Sequence, residues 1–133
     1  MKFQPDFAAA TAIRAYGSGW IVLAGERGGQ RITRNLILSP EHAQPWDVAC
    51  FDELNASHFA ALAARKPELV IFGSGARQRF PKPAWLRALI DAGIGIETMD
   101  TPAACRTWNV LLNEGRQALA ALLIEDNDGP HTP

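Results

Sequence analysis

The segment "ELVIFGSGARQRFPKPAWLRALIDAGIGIETMD", residues 68–100, decides the fold. Residues 69–72 form an apolar run without polar alternation, which is typical of a strand buried on both faces. Pro83 can open a helix that Gly93 ends, and its predicted buried stripe is Trp85, Leu86, Leu89 and Ile90. Residues 94–98 form the next strand. Strand, helix and strand with short links predict a βαβ unit with two parallel strands near 69–72 and 94–98.

The part of the chain before this segment is predicted to form strands and then one helix. Residues 13–16 and 20–24 flank "GSG" at 17–19, whose glycines suit a tight connection between antiparallel strands. A third antiparallel strand is expected within residues 32–40. After a loop that contains Pro45 and Trp46, Ser57 is the predicted N-cap of a helix over residues 58–65.

The part after this segment begins with a well-marked helix. Thr101 and Pro102 are a predicted N-cap and first-turn pair, and Gly115 is placed to end the helix. Cys105, Trp108 and Leu112 are expected to face inward, while Arg106, Asn109 and Asn113 share another face. Residues 117–125, "QALAALLIE", are ambiguous, because their alanines and leucines favour a helix whereas the length suits a buried strand.

Composition limits the classes of function. The 133 residues fit one α/β domain over 1–125, and the polar residues 126–133 are expected to be a mobile tail. The net charge of −1 provides no general attraction to nucleic acid, so none is expected as a partner. Cys50 and Cys105 show no paired spacing and predict reduced thiols. Without a signal peptide or a transmembrane segment, we expect a cytoplasmic protein.

Residues 13–123 resemble a known family, and the signature region of the resemblance is 68–123. "GSG" at 73–75, "GIGIETMDT" at 93–101 and "ACRTWNVLLNEGR" at 104–116 are similar to the signature of the Mth938-like domain family. Its members are mostly uncharacterised, and its eukaryotic relatives include a mitochondrial assembly factor of respiratory complex I and an adipogenesis-associated protein. The resemblance implies a single three-layer domain with a central mixed sheet, an added N-terminal antiparallel β layer, and residues 117–124 as a closing strand antiparallel to its neighbours. It implies no catalytic set.

The glycine-arginine loop at 73–79 is the main candidate binding site. It does not match the Walker phosphate loop, which needs four residues between its glycines and then Gly-Lys-Ser/Thr. It does not match the dinucleotide fingerprint either, because Phe80, Pro81 and Pro83 delay the helix. In an open α/β sheet, however, ligands bind beyond the carboxyl ends of the parallel strands. The candidate binding residues near that edge are Gly73, Ser74, Gly75, Arg77, Arg79, Thr101, Arg106 and Asn109. The alternative is structural: the glycines only permit the turn, and the arginines are solvated or pair with Glu97 and Asp100.

Enzymatic signals are weaker. Cys105 lies beside an arginine in the first turns of a helix, where a thiol can be reactive, but a buried structural cysteine is the commoner case. Ser74 does not lie in a GxSxG elbow. The histidines are scattered, so we expect no metal site, and no motif implies a cofactor.

A complete fold without a complete catalytic constellation favours a non-enzymatic interaction or assembly module, which docks a protein partner at the loop and the adjoining helix end. The alternative is a small-anion-binding protein or an enzyme that uses the same crevice, with Ser74, Arg77, Thr101, Cys105 and Arg106 as its candidate residues.

Overall fold

The computed structural model describes residues 9–126, which fold around a five-stranded mixed sheet. The elements are β1 (Ile13–Gly17), β2 (Trp20–Leu23), β3 (Leu36–Leu38), β4 (Ala43–Pro45), α1 (Ala56–Ala64), β5 (Leu69–Gly73), α2 (Arg87–Asp91), β6 (Gly95–Met99), α3 (Thr101–Asn113) and β7 (Ala118–Leu122). Short 3-10 turns occur at Arg27–Gly29, Phe51–Glu53 and Pro83–Leu86. The predicted α/β class is confirmed.

The central sheet has the strand order β4-β3-β7-β5-β6. β5 and β6 are parallel, which confirms the predicted βαβ unit. The ambiguous run at 117–125 forms strand β7, as the family resemblance implied. The expectation that this strand is antiparallel to its neighbours is wrong on one side, because β7 is antiparallel to β3 but parallel to β5. Strand β4 lies in the segment that the sequence indicated as a loop.

Two hydrophobic cores lie on opposite faces of the central sheet and make the fold three-layered. The first is formed by the β1–β2 hairpin and α3, and the second by α1 and α2. Strand β7 contributes to both, because successive side chains of a strand point to opposite faces. Ala118, Ala120 and Leu122 join the first core, whereas Leu119 and Ala121 join the second.

The N-terminal layer differs from the prediction in its third strand. β1 and β2 pair in antiparallel fashion as expected. Within residues 32–40, however, only Ile32 bridges to the hairpin, at Ile21. The chain then crosses to the central sheet, where β3 pairs with β4 and β7. Its residues Leu36, Ile37 and Leu38 are all buried, and a two-sided position in the central sheet is the one that buries consecutive apolar side chains.

Both predicted N-caps are displaced. Asn55 caps α1 and accepts a hydrogen bond from the Ser57 backbone N–H at 2.9 Å, so Ser57 is not the cap. Asp100 caps α3 and accepts from the Ala103 N–H at 2.9 Å, whereas Thr101 is the first residue of the helix. In both cases the cap is the residue with extended backbone dihedrals that precedes the first helical residue.

The predicted buried stripe after Pro83 is only partly correct. Leu89 is fully buried, and Trp85 and Leu86 pack against the second core, but Ile90 is 64% exposed. The difference arises because the first turn is a 3-10 turn with fewer residues per turn, which shifts the faces of the short α2 helix. Most of the predicted tail, residues 127–133, lies outside the described residues. Over residues 9–126 no helix has the length and apolar character needed to cross a membrane.

Candidate functional site

The candidate site lies at the carboxyl ends of the parallel strands β5 and β7, where the loop after β5 meets the start of α3. The structure brings Gly73, Ser74, Gly75, Arg79 and Thr101 together there. Gly73 ends β5 under close packing: a Cβ at this position would lie 2.9 Å from Leu122 Cδ2 and 3.0 Å from Thr101 Oγ1. This glycine is therefore required by the packing of strand against helix.

The Ser74 hydroxyl is fully buried and organises the loop. Its Oγ accepts a hydrogen bond from the Arg79 backbone N–H at 2.8 Å. The same oxygen donates to the Arg77 carbonyl at 2.9 Å, and the Met99 carbonyl oxygen lies 3.2 Å away. A hydroxyl has one proton to donate, so these contacts occupy it in holding the turn. Ser74 is thus a loop-fixing residue in this geometry.

Arg79 is directed into the protein. Its guanidinium donates to the Ser74 carbonyl through Nε at 3.2 Å and Nη2 at 2.6 Å, and Nη2 also forms an ion pair with the Glu125 carboxylate. Its Cζ lies 4.9 Å from the centroid of the Phe51 ring. The predicted partners Glu97 and Asp100 do not contact it; the partner is Glu125, the second residue after the buried run that ends at Leu123. Arg79 therefore latches the loop to the end of β7.

Thr101 connects three segments through one buried side chain. Its Oγ1 accepts from the Gly75 N–H at 3.0 Å and donates to the Leu123 carbonyl at 2.6 Å. Its own N–H donates to the Gly75 carbonyl at 2.8 Å. Gly75 itself adopts φ +110°, a conformation that favours glycine. The loop after β5, the end of β7 and the start of α3 are thereby fixed to one another.

Arg77 and Phe80 are the side chains that this fixed loop exposes. Arg77 uses its backbone carbonyl to accept from Ser74, while its side chain is exposed. Phe80 is 70% exposed, the largest exposed fraction among the big apolar side chains of residues 9–126. Pro81, which follows, is buried and restricts the backbone. The loop thus presents a cation and an aromatic ring on a rigid base.

Arg106 and Asn109 face the N-terminal hairpin. The Asn109 side-chain amide accepts from the Ile13 N–H and donates to the Ile13 carbonyl, each at 2.8 Å, so it completes the hydrogen bonding of β1. Arg106 donates to the Tyr16 hydroxyl at 2.8 Å, and this hydrogen bond raises the pKa of the guanidinium. Arg79 and Arg106 consequently contact opposite layers of the fold, at Phe51 and Tyr16, and do not form one anion site.

A cavity of about 200 Å³ lies at the predicted crevice, between the turn of the hairpin and the start of α3. Pro102, Cys105 and Glu125 are among its lining residues. Cys105 is 1% exposed, and burial raises the pKa of its thiol to about 12 although the charge of Arg106 opposes the shift. The thiol is therefore protonated at neutral pH, which is the opposite of an activated nucleophile.

A family model described as "Protein of unknown function (DUF498/DUF598)" matches residues 13–123. This chain belongs to that family. Among the DUF498/DUF598 relatives, an uncharacterised protein of Rhodobacter capsulatus is 40% identical over 123 residues, which cover 90% of each chain. NADH dehydrogenase (ubiquinone) 1 alpha subcomplex assembly factor 3 of Bos taurus is 33% identical over 122 residues. That match covers 90% of this chain but only 64% of the cattle protein.

Solved structures give the same family. The solution structure of a Bordetella pertussis protein, described as a Mth938-like domain, is 30% identical to this chain and superposes with a TM-score of 0.75. The match covers 100% of this chain and 99% of that one. The resemblance found in the DUF498/DUF598 signature residues is therefore confirmed for both family and fold.

Sequence reasoning missed Glu125, Tyr16 and Trp20 at this site. Glu125 latches the loop, while Tyr16 and Trp20 form part of the cavity wall. One signal was available for Glu125, because a charged residue just past a buried strand falls at the same sheet edge as the loop after a parallel neighbour. The two aromatic residues required knowledge of how the hairpin packs on α3.

Proposed function

We propose that this chain is a non-enzymatic protein-interaction or assembly module, and that it docks a partner protein through the display loop, which we define as residues 76–80. The observation that carries the proposal is the contrast within this loop. The hydrogen bonds of Ser74 and Arg79 fix its conformation, while the side chains of Arg77 and Phe80 are exposed to solvent. Nothing in the fold of residues 9–126 uses those two exposed side chains as packing.

A fixed loop of this kind suits recognition for energetic reasons. Binding costs less when the interacting segment is already held in one conformation, and here buried hydrogen bonds and the Arg79–Glu125 ion pair hold it. Aromatic and arginine side chains are enriched among the residues that dominate interface energies. Arg77 can engage a carboxylate through two parallel hydrogen bonds. The expected partner therefore offers an acidic side chain beside an apolar pocket for Phe80.

The relatives support the same class of function. One relative is named as an assembly factor of the NADH dehydrogenase 1 alpha subcomplex, a name that describes a role in assembling other proteins. This chain matches it over 122 residues. Because the match covers 64% of that protein, we propose for this chain the shared property of protein docking in assembly. The partner itself is left to experiment.

Affinity capture with two paired variants tests the display loop. Arg77→Glu with Phe80→Ser reverses the charge and removes the exposed ring. A matched control, Arg14→Glu with Val110→Ser, makes the same kinds of change in the hairpin and α3 layer, where Arg14 is exposed and Val110 is 55% exposed. Arg79→Ala is unsuitable as a docking variant, because it removes the latch to Glu125. Capture from a lysate of the source cells is followed by mass spectrometry.

The expected result is a stoichiometric protein that wild type and the control pair retain and the display-loop pair loses. A second readout follows from the relatives: in a gene-deletion strain, the amount of assembled NADH dehydrogenase on native gels should recover with wild type and the control but not with the display-loop pair. Retention of every captured protein by the Arg77→Glu/Phe80→Ser protein would overturn the proposed use of this loop.

The alternative, an anion-binding protein or enzyme in the crevice, has less support. The Arg77 side chain is exposed to solvent, that of Arg79 pairs with Glu125, and that of Arg106 bonds to Tyr16. The three arginines therefore do not form one cluster of cations. The Glu125 carboxylate lines the crevice and already pairs with Arg79, so that cation is not available to an anion. Cys105 lies there as a protonated thiol. The geometry thus favours docking at the display loop over anion chemistry in the crevice.

A further inference from the structure

We infer that the cavity between the β1–β2 turn and the first turns of α3 is a binding site for a small uncharged aromatic molecule that carries a hydrogen-bond donor. This site does not include Arg77 or Phe80, the two exposed side chains assigned to docking. It rests on three features of the described residues: the volume of the cavity, the apolar character of its walls, and the engagement of the donors around it.

The volume suits one aromatic ring with a short substituent. The cavity has a volume of about 200 Å³, and Ala76 is one of its solvent-exposed lining residues. For comparison, an engineered cavity of about 150 Å³ lined by aliphatic and aromatic side chains binds benzene. A space of this size would hold roughly six or seven waters at their liquid volume, and apolar walls bind such waters poorly.

The walls are suited to an apolar ring. Tyr16 and Trp20 contribute aromatic surface from the hairpin, and Ile21, Pro102 and Ile124 contribute aliphatic surface. These residues come from β1, β2, α3 and the segment after β7, so four separate parts of the chain enclose the space. Such convergence of elements on one apolar pocket, with few polar groups, is typical of small-molecule sites.

Four backbone N–H groups of the loop after β5 and the start of α3, where an anion would be expected to bind, are engaged within the fold. The N–H of Gly75 donates to Thr101 Oγ1, and that of Ala76 donates to Glu125 Oε1 at 2.9 Å. At the start of α3, the N–H of Thr101 donates to the Gly75 carbonyl and that of Ala103 to the Asp100 carboxylate. These four N–H groups are therefore not available to a negatively charged ligand, and burial of a charge without such partners is energetically costly.

The same wall contains one group that can receive a donor. Glu125 lines the cavity, and its carboxylate accepts from the Ala76 N–H and from Arg79. An ionised carboxylate has about four lone-pair positions, so acceptor capacity remains for a ligand hydroxyl or N–H. The charge of Arg79 balances that of Glu125, which makes an uncharged donor the best complement.

A titration with two probes of the same ring tests this assignment. Benzyl alcohol is uncharged and carries a donor, whereas benzoate is an anion that carries none. Each is added to the ¹⁵N-labelled full chain, and amide and indole N–H resonances are followed by NMR. We expect saturable shifts with benzyl alcohol at Ser18–Ile21 and Ala76, and binding of benzoate at least about tenfold weaker because of the buried unpaired charge.

Two variants in the loop show whether the shifts come from the cavity. Ala76→Trp places a large ring at the mouth, and Gln78→Trp is its matched control, because Gln78 is exposed in the same loop and does not line the cavity. Ala76→Trp should abolish the benzyl alcohol shifts and Gln78→Trp should keep them. If Ala76→Trp does not fold, Tyr16→Ala removes an aromatic wall and should weaken binding several-fold.

Three results would overturn the inference. They are the absence of saturable shifts at the cavity residues with benzyl alcohol, benzoate binding as tight as that of benzyl alcohol, and shifts that persist in a folded variant with the mouth blocked. None of these results bears on the captured partner of the display loop, so failure of the cavity inference and failure of the docking proposal are distinguishable.

Discussion

Replacement of Thr101 by valine should destabilise the protein even though valine is the more apolar residue. Valine keeps the shape of the side chain but neither accepts from the Gly75 N–H nor donates to the Leu123 carbonyl. Gly75 and Leu123 are both buried, and Thr101 is 8% exposed. Two backbone groups would therefore remain in the interior without this partner.

The magnitude follows from the number of groups that lose a partner. A buried donor or acceptor left without a hydrogen bond costs about 1–3 kcal/mol, so two such groups predict a loss of about 2–6 kcal/mol in the free energy of unfolding for Thr101→Val. Thr101→Ser is the matched control. It keeps the hydroxyl and loses one buried methyl group, which predicts a loss of about 1 kcal/mol.

Urea unfolding followed by tryptophan fluorescence distinguishes the two variants. With an m value of about 2 kcal/mol/M, the midpoint should fall by about 1–3 M for Thr101→Val and by about 0.5 M for Thr101→Ser. Hydrogen exchange gives a local check, because the Gly75 amide should exchange faster in the valine variant. A valine variant as stable as the serine variant would refute the role assigned to the Thr101 hydroxyl.

Two further predictions concern the same sheet edge. Gly73→Ala should lower the free energy of unfolding by about 1–3 kcal/mol through overpacking. Gly95→Ala on the neighbouring strand should be nearly neutral, since its Cβ would meet its nearest neighbour at an ordinary 3.7 Å. Urea unfolding of both variants checks this, and equal stabilities would contradict it. The exposed Cys50 should react with a thiol reagent at pH 8 while buried Cys105 does not, because a raised pKa of about 12 keeps the Cys105 thiol protonated. With a reagent that releases a chromophore when it reacts with a thiol, the release should correspond to one thiol per native protein and two per unfolded protein. Rapid release corresponding to two thiols in the native protein would contradict the burial of Cys105.

The order of elements could be read from the sequence because most of them depend on local pattern. The βαβ unit was predictable from an unbroken apolar run, a helix opened by proline and a second apolar run. Residues 117–125 could not be assigned from pattern alone. Strand β7 is buried on both faces, so its sequence lacks the alternation that identifies a strand. Two of its alanines, Ala118 and Ala120, lie in the same core as Ala104 of α3.

The capping errors have a different cause. Asn55 and Ser57, like Asp100 and Thr101, are neighbouring residues that can all act as N-caps. The choice between them depends on which residue has extended dihedrals, and that is set by how the preceding loop enters the helix. Here the Thr101 hydroxyl is already required by Gly75 and Leu123, which leaves the capping of α3 to Asp100.

The sequence could place the glycine-arginine loop at the edge of the sheet where the structure has it, but could not assign the partners of its arginines. Glycines before a basic loop are compatible with a phosphate cradle and with a tightly packed turn. The contacts that separate these cases lie far away in the chain: Arg79 pairs with Glu125, 46 residues later, and Arg106 bonds to Tyr16, 90 residues earlier. Of the three arginines, Arg79 and Arg106 have side-chain partners within the fold, which leaves Arg77, and its exposure beside Phe80 is the basis of the docking proposal.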